Sequence, residues 1–183
     1  MKDSIKMKTK ICLIGESAVG KTSLIRRFVL DLFDDHYIST IGTKVTKKEI
    51  NLSFEGMKIN MDMTIWDIMG HKGFKQLLHE AYFYGAQGVL AVCDITREFT
   101  LNDLDDWIDS VFKHAGKIPV VIAVNKSDLK DQAKFGEKEL MATVKGFDSP
   151  YFFTSAKTGE NVELIFSELA RNISYKNIPS LKH

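Results

Sequence analysis

An apolar run, Ile11-Cys12-Leu13-Ile14, leads straight into Gly15-Glu16-Ser17-Ala18-Val19-Gly20-Lys21-Thr22, and a helical pattern over residues 21–30 begins on the last two of these. That junction constrains the fold more than any other part of the chain. The spacing predicts a buried strand over residues 10–15, then a wide turn, then a helix. Glycines at positions 15 and 20 let the turn open so that backbone N–H groups converge on an anion. The helix starting near Gly20 adds the positive end of its dipole. Lys21 brings a cation to the same place, and the Thr22 hydroxyl is of a type that ligates a divalent metal. Ser17, Ala18, Val19, Gly20 and Ser23 complete the candidate contacts to phosphate. A glycine-bearing turn can match G-x-x-x-x-G-K-[ST] by accident, but nothing then requires a strand before it and a helix after it. Both are expected here, so the loop points to a nucleoside triphosphate and leaves the base open.

The rest of the chain continues the alternation. Ile50, Leu52 and Phe54, then Ile59, Met61, Met63 and Ile65, alternate with polar residues across a Glu55-Gly56 turn, which predicts an antiparallel hairpin. The runs at 88–94 and 120–125 are nearly all apolar, as parallel strands covered on both faces must be. A shorter strand is expected at 151–154. Helices are expected at about 74–84, 101–113, 137–145 and 161–175, with Trp107 and Ile108 as core residues. The expected fold is therefore a three-layer α/β sandwich on six strands, mostly parallel with one antiparallel edge strand, built as a single domain over 1–183. In such sheets ligands bind beyond the carboxyl ends of the strands.

Composition excludes other classes. The 183 residues carry 25 cationic and 24 anionic side chains, a net charge of +1, so no basic surface for nucleic acid is expected. Two cysteines, both in apolar strand-like runs, read as buried free thiols in a reducing compartment. No run approaches the ~20 apolar residues that span a bilayer. A soluble, cytoplasmic protein is the expectation. His36, His79 and His114 lack the spacing of metal ligands, so no zinc site is assigned.

The strand at 120–125 ends in Asn125-Lys126-Ser127-Asp128. A carboxylate in the plane of a base accepts from two adjacent donors, the N1–H and 2-amino group of guanine. Adenine offers no such pair and would leave a buried carboxylate unsatisfied. Asp128 is thus the candidate specificity residue, Asn125 a residue that holds loops together and approaches N7, and Lys126 a stem covering one ring face. The segment Thr154-Ser155-Ala156-Lys157 follows the next strand, with the Ala156 N–H placed for the guanine O6. Alone, N-K-S-D could be a polar turn; after a phosphate loop and before S-A-K, that reading loses force.

In this order GESAVGKT, YISTIG, WDIMG, NKSD and TSAK resemble a small GTPase of the Ras superfamily over about residues 8–176, with short tails on either side. Within it, GESAVGKTSL, YISTIG, YFYGA and CDIT are most similar to the Rab branch. The resemblance implies a P-loop NTPase of the G-domain type, with GTP and GDP as ligands and Mg²⁺ as cofactor. It implies that the hydroxyls of Thr22 and Thr40 and, through water, Asp67 serve the metal, and that the N–H groups of Thr40 and Gly70 sense the γ-phosphate. Phe33 then lies across the guanine and Tyr37 closes over the phosphates. Two switches, about residues 33–43 and 68–82, are held by the third phosphate and released on hydrolysis, so effector, exchange and activating proteins read them on a monomer.

Three departures qualify the likeness. The family's glutamine that orients water is replaced by His71, followed by Lys72 instead of an acid. An imidazole is bulkier and reaches differently, which leads to an expectation of slow hydrolysis. With Lys21, Thr40 and Gly70, His71 makes up the candidate catalytic set. No arginine in the loop ending at Thr40 can serve as a finger in cis. At the C-terminus no cysteine is available for prenylation and residue 2 is lysine, so no direct lipid anchor is expected, and any membrane association runs through a protein partner. Lys2, Lys6, Lys8 and Lys10 read as a solvated tail. Finally, Thr43-Lys44-Val45 lacks the acidic and aromatic residues typical of Rabs. Two competing readings stay open: a GTP-binding module without turnover, and a P-loop kinase of small molecules, which leaves N-K-S-D unexplained.

Overall fold

The computed structural model describes residues 4–36, 39–54, 56–70, 80–178 and 181. Among them, six strands form one sheet: β1 (Ser4–Ile14), β2 (Thr43–Phe54), β3 (Met57–Ile68), β4 (Gly88–Asp94), β5 (Val120–Asn125) and β6 (Tyr151–Phe153). The spatial order is β2-β3-β1-β4-β5-β6. Every neighbouring pair is parallel except β2 and β3, whose antiparallel ladder runs from Thr43 opposite Ile68 to Phe54 opposite Met57. The expected architecture is the observed one, with β2 as the antiparallel edge. The helices that cover the sheet are α1 (Lys21–Leu30), α2 (Glu98–Asn102), α3 (Leu104–Ala115), α4 (Glu137–Val144) and α5 (Val162–Asn177).

The all-apolar strands follow from double coverage. β4 and β5 are buried at every residue. Leu24, Ile25 and Phe28 of α1 and Ile165, Phe166 and Leu169 of α5 cover one face, where the Phe28 and Phe166 rings stack 3.9 Å apart. Leu104, Trp107, Ile108 and Val111 of α3, with Leu140 of α4, cover the other. β2 and the N-terminal half of β3 alternate because one face meets solvent. Cys12 and Cys93 are free and buried, and burial pushes both thiols up to about 12.

Several boundaries differ from the sequence expectation. β1 starts at Ser4, so Lys6, Lys8 and Lys10 stand in a strand paired with β3 and do not form a solvated tail; Lys2 lies outside the described residues. The early start follows from the ladder with β3, which the period-two pattern Ile5, Met7, Thr9 permits. The helix expected at 101–113 is divided between α2 and α3, which meet at Asp103 (φ −78°, ψ −6°), whose N–H donates to the Phe99 carbonyl at 3.0 Å. β2 extends back to Thr43, which places Lys44 and Val45 in the hairpin. Of the helix expected at 74–84, residues 80–83 are helical and 71–79 lie outside the described residues.

Candidate nucleotide site

β1, β3, β4 and β5 all deliver their carboxyl ends to one rim of the sheet, and a cavity of about 310 Å³ opens there. Ser17, Ala18, Gly20, Lys21, Thr22 and Ser23 line it from the phosphate loop, and Phe33, Ser39 and Thr40 from the loop after α1. Gly70 lines it from the end of β3, and Asn125, Lys126, Asp128, Ala156 and Lys157 from the two loops beyond β5 and β6. Almost every residue singled out from the motifs is thereby brought to one place. Val19 and Ser155 are buried beneath the cavity, while Tyr37 and His71 lie outside the described residues.

The phosphate loop adopts a backbone that depends on its glycines. Gly15 has φ +135°, and a Cβ there would overlap the Val92 carbonyl oxygen. Gly20 has φ +102°, and a Cβ there would overlap the Asn125 amide nitrogen. Ala18 also takes a left-handed conformation, at φ 62°. Lys21 is 6% exposed, and its ammonium donates to the carbonyls of Gly15 and Glu16, both at 2.8 Å. Burial pulls its pKa down to about 8, opposed by the charges of Asp67 and Glu16 and assisted by Arg97. A buried cation with two neutral acceptors is poised for an anion.

Beside it, β3 delivers Asp67, which is 1% exposed. One of its oxygens, Oδ2, accepts the Thr22 hydroxyl, and the Thr22 hydroxyl also lies 3.0 Å from that of Thr40. The other, Oδ1, is buried with no hydrogen-bond partner among the described residues. Burial raises the Asp67 pKa, against the opposing effects of Thr22, Lys21, Lys44 and Thr40. Two hydroxyls and an under-satisfied carboxylate form a hard oxygen donor set of the kind Mg²⁺ takes, so the residues present fit that ion.

At the other end of the cavity, Asn125 joins three segments. Its Nδ2 donates to the Val19 carbonyl at 2.9 Å, while its Oδ1 accepts from the Thr154 hydroxyl at 3.2 Å and the Ala156 N–H at 3.3 Å. Asp128 accepts the Ser155 hydroxyl at 2.6 Å. The motif suggests a buried carboxylate at Asp128, and the structure corrects this. Asp128 is exposed at the cavity mouth, because the 3₁₀ turn Ser127–Gln132 carries it beyond the end of β5. Any desolvation that discriminates between bases therefore comes from the base that covers it. Lys126, at φ 67°, directs its ammonium to Asp94 at 2.6 Å.

Two arginines and a tryptophan carry contacts that the motifs do not announce. Arg27 of α1 donates to the carbonyls of Ala156 (2.9 Å) and Lys157 (2.7 Å), tying the S-A-K loop to the helix that follows the phosphate loop. Arg97 links Asp94 to the Ser17 carbonyl. Trp107 is buried as expected, but its ring N–H also donates to the Glu16 carboxylate at 3.3 Å. One signal for this network is present in the sequence: an aspartate at position 94 closes an otherwise all-apolar strand at its carboxyl end.

A family model described as the Ras family matches residues 10–175. The chain is 36% identical over 169 residues to Ras-related protein Rab-13 of Canis lupus familiaris, covering 92% of this chain and 81% of the relative. It is 36% identical over 168 residues to Ras-related protein Rab-8B of Homo sapiens, covering 91% and 79%. Ras-related protein RABE1e of Arabidopsis thaliana is 33% identical over 174 residues, covering 91% and 75%. The matched region spans the phosphate loop, the metal-fitting cluster and the base loops, and the chain belongs to the Ras family as a GTP-binding small GTPase of Rab type.

Proposed function

We propose that this protein is a guanine-nucleotide switch that binds GTP and GDP with Mg²⁺ and hydrolyses GTP slowly. The observation that carries the reading is the joining of buried Lys21 to the Thr22–Thr40–Asp67 cluster at the wall of a nucleotide-sized cavity, with Asp67 Oδ1 buried and without a partner among the described residues. Thr22, Thr40 and Asp67 would hold the Mg²⁺, which supplies charge neutralisation at the phosphates. Lys21 with the loop N–H groups would bind the phosphates, Asp128 would read the base, and Phe33 would lie against its face. Residues 33–43 and 68–82 would then present the nucleotide state to effector, exchange and activating proteins, with the protein acting as a monomer. On this reading the protein works in the cytoplasm and meets membranes through partners. Among the described residues no helix is long and apolar enough to cross a membrane.

Slow turnover is argued from His71 in the sequence, where the family's switch carries a glutamine. The same residue favours a second reading, a GTP-binding interaction module without turnover. Nucleotide extracted from purified protein and identified by mass spectrometry tests the first part, with guanine nucleotide expected. Single-turnover hydrolysis tests the second. His71→Gln is expected to accelerate phosphate release about tenfold, equivalent to about 1.4 kcal/mol of barrier. An equal rate in wild type and variant overturns the role given to His71. Zero release with and without a lysate supplying activators selects the module.

A further inference from the structure

Asp94 closes β4 with 1% of its surface exposed, and its carboxylate takes four donors. The N–H and hydroxyl of Thr96 reach Oδ1 at 2.9 and 2.7 Å. Lys126 Nζ and Arg97 Nε reach Oδ2 at 2.6 and 3.0 Å. Burial alone would raise this carboxyl, yet the Lys126 and Thr96 donors hold it below the usual carboxylate range. The second arm of Arg97, Nη2, donates to the Ser17 carbonyl at 3.0 Å, and its guanidinium lies 5.5 Å from the Phe99 ring. One carboxylate and one guanidinium thus connect the N-K-S-D segment to the phosphate loop. The stretch they hold also meets the start of the second switch: a Cβ on Gly70 would stand 2.5 Å from both Glu16 C and Ser17 N. Arg97 itself is not among the described residues that line the cavity.

We propose that Arg97, seated on Asp94, is a positioning residue for nucleotide binding: it fixes Ser17 of the phosphate loop to the Lys126 segment of the base loop, and nucleotide retention depends on that link. The planar fork is what makes the link. Its two arms satisfy a carboxylate and a carbonyl in a fixed relation, which a single ammonium on a flexible stem does not reproduce. The phosphate and base halves of the site also meet where Asn125 Nδ2 donates to the Val19 carbonyl, in the second half of the phosphate loop. Arg97 holds the first half.

The inference rests on the reading of these loops as a nucleotide site, and release of mant-GDP in Mg²⁺, followed after adding excess GDP, tests the two separately. Wild type, Arg97→Ala, Arg97→Lys, Lys126→Ala and the Arg97→Ala/Lys126→Ala double variant are compared. Arg97→Ala is expected to speed release about tenfold or more, and Arg97→Lys to speed it as well. In the Lys126→Ala background the Arg97 change is expected to add much less, because the link is already cut. A role independent of that link predicts effects that multiply in the double variant. That result, or release within twofold of wild type in either single Arg97 variant, overturns the inference. If Arg97→Ala does not fold, Arg97→Lys keeps the charge and decides the question by the same criterion. A wild-type chain that fails to retain mant-GDP overturns the nucleotide reading itself, and the inference with it.

Discussion

The Asp67 carboxylate accepts the Thr22 hydroxyl through Oδ2 and keeps Oδ1 buried without a partner among the described residues. A buried carboxylate in that condition costs stability, and burial raises its pKa. The sign follows from linkage. A carboxyl whose folded pKa is raised stabilises the fold below its ordinary pKa, and that contribution is lost as pH rises through the raised value. At neutral pH the metal-free chain therefore bears the cost. Asp67→Asn is expected to raise the melting temperature of the nucleotide-free protein in EDTA by a few degrees, on the order of 1 kcal/mol. The same change is expected to abolish the slowing of nucleotide release by Mg²⁺. Calorimetric melting and release rates with and without Mg²⁺ check both; a lower melting temperature together with intact Mg²⁺ dependence refutes the assignment.

Lys21 gives a prediction in the alkaline range. Burial holds its pKa at about 8 where an ordinary lysine titrates near 10.5. Between those values the unfolded chain binds a proton that the folded chain lacks, so the stability of the nucleotide-free protein rises with pH across this window. Phosphate favours the charged ammonium, so binding takes up a proton above pH 8. GDP affinity is expected to fall above pH 8, by at most about tenfold per unit. Titration calorimetry in two buffers of different ionisation enthalpy measures the proton uptake. Equal apparent enthalpies at pH 9 refute the prediction.

The sheet and the phosphate loop are legible in the sequence because glycine spacing and apolar runs are local. Gly15, Gly20 and Lys21 name the phosphate loop by their spacing, and the apolar β4 and β5 name a covered parallel sheet. What the sequence conceals depends on contacts distant along the chain. Arg27 meets Ala156 across 129 positions, and Arg97 meets Ser17 across 80. A lone arginine on a helix or after a strand carries no periodic signal of such a partner. The division into two helices at Asp103 is concealed because the apolar positions on both sides of it keep helical spacing and Asp103 itself stays in the right-handed helical region. The exposure of Asp128 is concealed for a similar reason: the motif states which residue follows the strand, and the 3₁₀ turn decides how far it is carried.

Gly70 lies against the Glu16–Ser17 peptide closely enough that a Cβ would approach it to 2.5 Å. Backbone atoms, not a flexible side chain, stand in the way, so Gly70→Ala must displace the start of the second switch from the phosphate loop. Trp66, four residues earlier, has its ring centroid 6.3 Å from that of Tyr82, at the far end of the 68–82 segment, and serves as the emission probe. The variant is expected to bind GDP within about threefold of wild type, since it leaves the base contacts intact. It is expected to lose the tryptophan emission change on exchanging GDP for a non-hydrolysable GTP analogue. A preserved emission change refutes this role for Gly70.

If Asp128 reads the base as proposed, changes at Asp128 and Ser155 separate base recognition from phosphate binding. The Ser155 hydroxyl donates to Asp128 at 2.6 Å while its oxygen accepts the Thr158 N–H at 3.0 Å, so the carboxylate is oriented by a loop that is itself fixed. On that proposal, removing the carboxylate deletes both acceptors for the guanine edge. Asp128→Ala is expected to weaken GDP binding by about 10²–10³-fold and to bring GDP and ADP within roughly tenfold of each other. Ser155→Ala keeps the carboxylate and loses one hydrogen bond to a charged group, so a loss of about tenfold with guanine preference retained is expected. Displacement of mant-GDP by unlabelled GDP and ADP measures both ratios. If Asp128→Ala still prefers GDP by about a hundredfold, the base is read elsewhere, and the Ala156 N–H becomes the group to test.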